Sequence, residues 1–208
     1  MICFKGETGE RIMAQQFLAQ LYAEHSSLAA VLNAMSALVR EVRERGKRID
    51  PRVFRAMLYY LDVFLEREHH RKEELVLFPR IRARTHAADG ALALLAHEHE
   101  AGERAIRDLE QAFLRYEEHG DSEFAAFAAN ADKYVARYLD HIRKEEHEVM
   151  PLAQRVLTAE DRAAIEREFA AHHDPLAGAT TETDPDELFQ RIVMLVPAPY
   201  GVGTPLDE

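Results

Sequence analysis

A chain of 208 residues, 47% hydrophobic and 30% charged, is long enough for one buried core and fits a globular protein. Its formal charge of -11 argues against nucleic acid or an anionic membrane surface as the main partner. The single cysteine, Cys3, excludes an intrachain disulfide and a cysteine-based zinc or iron–sulfur site. No apolar run approaches the roughly 18–20 residues that span a bilayer, and the first residues lack the basic-then-apolar layout of a signal peptide. Cytoplasmic residence, without a membrane partner, is the expectation.

Four long helical patterns follow in chain order. The first runs from about Glu10 to about Arg45 and stops at Gly46. Asp50-Pro51 supplies an N-cap and a proline at the first helical position of the second, which continues to about Thr85 with Pro79 bending or ending its last turns. Asp89-Gly90 opens a third helix reaching His119-Gly120; Asp121 or Ser122 caps a fourth that reaches Pro151 or Val156. Connections this short predict an all-α, up-down-up-down four-helix bundle. A shorter fifth helix starts at Thr158, where Thr158-x-x-Asp161 resembles a capping box, and stops near His173-Asp174-Pro175. Asp184-Pro185 caps one more short helix through about Leu195, and the tail from Pro197 reads as irregular. Residues 1–175 are thus expected to form the bundle with its short fifth helix, and 176–208 a C-terminal extension.

One motif occurs twice. His69-x-x-x-Glu73-Glu74 leads to Phe78-Pro79, and His141-x-x-x-Glu145-Glu146 leads to Met150-Pro151. Residues four apart share a helix face, so each copy aims an imidazole and a carboxylate at one point. The first and third helices carry the doublets Glu24-His25 and Glu98-His99.

Each bundle helix should bury an apolar stripe, and each stripe is interrupted only by histidine or glutamate: His25 on the first, His69 and Glu73 on the second, His99 and Glu103 on the third, His141 and Glu145 on the fourth. Counting residues from the helix ends, at about 1.5 Å each, places these breaks at one level to within roughly 3 Å. Burying so many ionisable groups unpaired costs several kcal/mol each, and a bound cation removes that cost. His70, Glu74 and Glu146, beside the stripes, are expected to face solvent or to support the ligands. His97, His119 and His147 read as exposed, and Tyr134 and Tyr138 as core packing. Imidazole and carboxylate without thiolate suit iron, manganese or zinc, and two carboxylates from opposite helices can bridge a pair of ions.

Through His25, His69-x-x-x-Glu73, His99 and His141-x-x-x-Glu145, in this order, the chain resembles the hemerythrin-like (HHE cation-binding) family over about residues 10–156. The resemblance implies two non-haem iron ions bridged by Glu73 and Glu145, with His25 and His69 on one and His99 and His141 on the other. Oxygen-carrying members have a further histidine four residues after the helix-three histidine, where this chain has Glu103. They also space the last histidine and carboxylate by five, where His141 and Glu145 are four apart. A carboxylate ligand at Glu103 makes the site harder and more anionic. Sensing or handling of O2, peroxide, NO or iron is therefore expected rather than oxygen carriage, with a small diatomic or peroxide as ligand. The alternative is a peroxidase- or oxidase-like enzyme, or an iron donor for iron–sulfur cluster repair.

Overall fold

The computed structural model describes residues 16–172 and 185–206, and among these all regular structure is helical, with no strand. Helix α1, Gln16–Arg45, ends where Gly46 takes a positive φ of 62° and its N–H donates to the Val42 carbonyl. The start of the first predicted helix before Gln16, Cys3, the stop at His173–Pro175 and the Asp184 cap lie outside the described residues.

Helix α2 spans 51–84 and begins as the sequence predicts, with the Asp50 carboxylate accepting from the Arg52 N–H and Pro51 in the first turn. Two stretches of it, Leu61–His69 and Glu73–Leu77, are wide π-helical turns. Helix α3 is Asp89–His119, and helix α4 spans 121–156 with a third wide stretch at Glu145–Val149. The wide turns were not anticipated, and the repeated proline accounts for two of them. Proline has no N–H, and its ring crowds the carbonyl four residues back. Immediately before Pro79 and Pro151, Phe78 donates to the carbonyl of Glu73 and Met150 to that of Glu145, five residues back. The wider turn carries each helix through its proline, so α2 runs on to Arg84 instead of ending at Pro79.

The cap of α4 also differs from expectation. Gly120, with φ 68°, occupies the N-cap position without a side-chain bond; Asp121 is already helical and the Ser122 hydroxyl donates back to the His119 carbonyl. Helix α5, Ala159–His172, does open on the capping box, with Thr158 N–H donating to the Asp161 carboxylate and Asp161 N–H to the Thr158 hydroxyl. Helix α6 is Pro185–Leu195.

The apolar interior falls into two clusters with a polar layer between them. One contains Leu28, Leu32, Phe54, Leu65, Ile106, Phe113, Phe127 and Tyr138; the other contains Phe17, Leu21, Val76, Phe78, Leu95, Val149 and Phe169. Along α1 the chain passes from the second cluster to the first, along α2 it returns, and α3 and α4 repeat the alternation. His25, His69, His99 and His141 each sit where their helix crosses the layer. The tail is not free of the core: Leu188, Ile192 and Val196 join the first cluster, and the Tyr200 hydroxyl donates to Glu41 at 2.8 Å. No helix among the described residues is long and apolar enough to cross a membrane.

Candidate metal centre

Six of the seven residues singled out in the sequence meet in the polar layer. His25, His69, Glu73 and Glu145 offer ligand atoms within 4.8 Å of one another, and so do Glu73, His99, His141 and Glu145; all are buried. The two carboxylates belong to both groups. Glu73 turns one oxygen to His69 Nε2 (3.7 Å) and the other to His99 Nε2 (3.6 Å), while Glu145 turns one to His25 Nε2 (3.2 Å) and the other to His141 Nε2 (3.1 Å). Each therefore spans the two histidine pairs, as a bridging carboxylate must.

The histidine protons explain why the layer needs a cation. Every Nδ1 of the four imidazoles meets a carboxylate: His25 with Glu146 at 3.1 Å, His69 with Glu24 at 2.7 Å, His99 with Glu74 at 2.8 Å and His141 with Glu98 at 2.9 Å. A carboxylate only accepts, so Nδ1 carries the proton and Nε2 the lone pair. The Nε2 atoms then face each other in pairs, His25 with His69 at 3.2 Å and His99 with His141 at 3.1 Å. Two lone pairs at that distance repel unless a cation lies beside them.

The carboxylates tell the same story. Both oxygens of Glu145 and Oε2 of Glu73 are buried without a hydrogen-bond partner. Burial and the neighbouring charge of Glu145 push Glu73 well above the usual carboxylate range. Burial also opposes ionisation of Glu145, but His141, His25 and His99 hold it well below that range. Two carboxylates this close in a dry layer do not both ionise unless positive charge is supplied. Without a metal, a proton is the available cation: burial works against it, yet Glu145 and Glu98 lift His141 to about 9.

A family model for the hemerythrin HHE cation binding domain matches residues 16–153. The chain belongs to that family. No curated protein and no solved structure matches it.

In this layer of a hemerythrin-family chain the residues behind the imidazoles repeat as faithfully as the imidazoles themselves. Buried Lys72 donates to Glu24 at 2.9 Å, and Lys144 donates to Glu98. Each lysine stands three residues after the histidine whose Nδ1 its glutamate holds, so both halves share one plan: lysine, glutamate, imidazole. Glu24 is held down at about 2, because His69 and Lys72 outweigh the cost of burial. Sequence reasoning noted the glutamates but missed the lysines, although Lys72 and Lys144 occupy the same place in both motif copies. Glu74 and Glu146, which the sequence left between facing solvent and supporting the layer, meet the Nδ1 atoms of His99 and His25.

Two residues sit elsewhere than expected. Glu103 is exposed and belongs to neither buried group; it lines a cleft of about 760 Å³ with Glu66, His70, His99 and Arg107. The interior face of α3 at this level runs through Leu95, His99, Gly102 and Ile106, all buried, which turns position 103 to the rim. His70 moves the other way. It is 2% exposed, stacks on His99 with ring centroids 3.9 Å apart, and groups with His99 and His141. On a regular α-helix, residues 69 and 70 point about 100° apart. The wide turns on either side of His70–Lys72 rotate each residue less, so both histidines face inward. His97, His119 and His147 are exposed, as predicted. Tyr134 and Tyr138 are buried but do more than pack, since both hydroxyls donate to Glu66, at 2.8 and 2.5 Å.

Proposed function

We propose that this chain is a cytoplasmic protein holding two non-haem iron ions, bridged by Glu73 and Glu145, in an up-down-up-down four-helix bundle with two short C-terminal helices. Its role is to sense or handle O2, peroxide, NO or iron, not to carry oxygen, because position 103, exposed and outside both buried groups, brings no further imidazole to the layer. The observation that supports it best is the sharing of Glu73 and Glu145 by two buried groups, each with its own facing pair of Nε2 atoms. His25 and His69 would hold one ion, His99 and His141 the other. Bound iron would supply one-electron chemistry and a coordination position for a small diatomic or peroxide ligand. The protein holds the imidazole protons on Nδ1, keeps the two carboxylates charged against the ions, and excludes bulk water from the layer. Manganese or zinc fits the same donors less specifically, and nucleic acid is not a proposed partner. In this reading residues 176–208 are an extension added to the bundle of 1–175.

Purified protein should contain two irons per chain and show oxo-bridged ferric absorption that shifts with azide or peroxide. Folded protein from iron-replete cells that lacks iron and refuses it on reconstitution would sink the proposal. A second reading, a peroxidase- or oxidase-like enzyme, is favoured by the cleft that reaches His70 and His99 from solvent. Peroxide turnover by wild type that is lost in His69→Ala would select it. Iron donation for cluster repair would show instead as transfer of the bound iron to an apo-acceptor.

A further inference from the structure

The two motif copies differ at two places that face each other. Relative to the second copy, His70 stands where the other half has Ile142, and Glu66 where it has Tyr138. Both departures meet at the inner end of the cleft of about 760 Å³ between α2 and α3. His70 is buried, and neither of its ring nitrogens has a hydrogen-bond partner, a costly arrangement for a polar group. Its ring lies nearly parallel to that of His99, 3.9 Å away and 12° apart, so the two cannot both turn an in-plane lone pair on one ion. His70 is left for another partner. Its Nδ1 stands 3.2 Å from Glu66 Oε2 without a hydrogen bond between them, and Oε2 has no partner either. Tyr134 and Tyr138 both donate to Oε1 and fix the carboxylate in this pose.

A neutral imidazole presents one N–H and one lone pair, and a carboxylate oxygen only accepts. The inner end of the cleft therefore suits a small molecule that donates two hydrogen bonds and accepts one. Hydrogen peroxide has two O–H groups and lone pairs on both oxygens. O2 and NO have no O–H to give, and a site built to hydrogen-bond a hydroxyl rejects an analogue without one by orders of magnitude. The mouth of the cleft is of mixed sign, with exposed Glu74, Glu100 and Glu103 beside exposed Arg67, Arg71 and Arg107. It steers neither cation nor anion strongly, which suits a neutral molecule. A His70 ring nitrogen lies within 4.8 Å of a nitrogen on each of His99 and His141, so a molecule docked there sits beside the polar layer. We propose that this cleft admits hydrogen peroxide and that His70 and Glu66 form its docking site, beside the metal positions and not part of them. The inference rests on the two-metal reading above and narrows its several small ligands to peroxide. Both are positioning residues: they hold the molecule next to His99 and do not themselves react.

The full chain loaded with zinc and labelled with 15N-histidine tests docking without redox chemistry at the metal. Titration with hydrogen peroxide should shift the ring nitrogens of His70 saturably, and by more than those of the exposed His97, His119 and His147. Carbon monoxide, a diatomic without an O–H, should leave His70 where it is. Glu66→Gln puts a donor where Oε2 accepts, and should raise the Kd for peroxide at least tenfold. His70→Leu guards against a folding defect: it replaces a buried, unpartnered polar ring by an apolar side chain, so the metal-free variant should melt no lower than wild type. In the ferrous protein the same variant should lower the ratio of the oxidation rate with peroxide to that with O2 at least tenfold. Wild type that binds two zinc ions and shows no movement of His70 with peroxide holds water only at this place; that overturns the docking site and leaves the two-metal reading intact. Wild type that takes up neither zinc nor iron overturns the two-metal reading and the docking site with it.

Discussion

Replacing Gly102 by alanine tests the packing behind the polar layer without changing any of the six His and Glu residues that meet there. In an exposed stretch of helix the change would gain about 1 kcal/mol, because glycine is the poorer helix former. At position 102 the new Cβ would lie 1.8 Å from the Tyr138 hydroxyl oxygen and 2.7 and 3.1 Å from the two Glu66 oxygens. The tyrosine cannot swing away, since its ring is fully buried and packs on Tyr134 and His70. Overpacking of this kind costs roughly 1–3 kcal/mol. Displacing the hydroxyl from Glu66 leaves a buried carboxylate short of a donor, roughly 1–3 kcal/mol more. After the propensity gain, the net loss is about 3 kcal/mol, which for a chain of this size lowers the melting temperature by roughly 6–12 °C. Thermal and denaturant unfolding of the metal-free protein measures it. Gly90→Ala is the control: no atom lies within 4 Å of the new Cβ, and the variant should be as stable as wild type or up to about 1 kcal/mol more. Tyr138→Phe removes the closest clashing atom, so Gly102→Ala should cost much less in that background. If Gly102→Ala stabilises the protein as Gly90→Ala does, the Tyr138–Glu66 packing described above is wrong.

Lys72→Met should destabilise the metal-free protein by about 3 kcal/mol, because it strips one partner from a buried pair while His69 still holds Glu24; it should also weaken metal binding by roughly 10–100-fold. Arg67→Ala, at an exposed pair with Asp62, should stay within about 0.5 kcal/mol by the same denaturation assay. Arg84 and the Thr158 cap hold Asp161, at the start of α5, well below the ordinary carboxylate value of 3.8. A depressed carboxylate contributes stability above its unfolded value and loses it as the pH falls, so wild type should exceed Asp161→Asn at neutral pH and the gap should close below about pH 3.8. A gap of the same size at pH 7 and at pH 2 contradicts this. Metal loading at a thousandfold excess over Kd should add about 4 kcal/mol to stability, seen as a drop in melting temperature on chelation; Glu145→Ala, which removes the carboxylate shared by both groups, should abolish most of that shift.

The sequence by itself determined the helices, the level of the polar layer and six of its residues. These follow from local rules: caps at Asp50 and Thr158, glycine after α1, and the three-and-four spacing that puts His69 and Glu73 on one face. What needed the tertiary structure lay at the wide turns and across helices. An α-helical period assigns His70 to the flank of α2, and only the π-helical turns bring it in beside His69. The same period puts Glu103 under His99, and only the inward face of Gly102 shows that α3 turns it to the rim. Glu66 and Tyr138 occupy equivalent places in the repeat, yet nothing in either segment says that one donates to the other from opposite helices. A repeat in sequence fixes what each helix can offer to the layer. Which side chains reach it depends on helix rotation, a quantity set by packing and by turns whose hydrogen bonds span five residues instead of four.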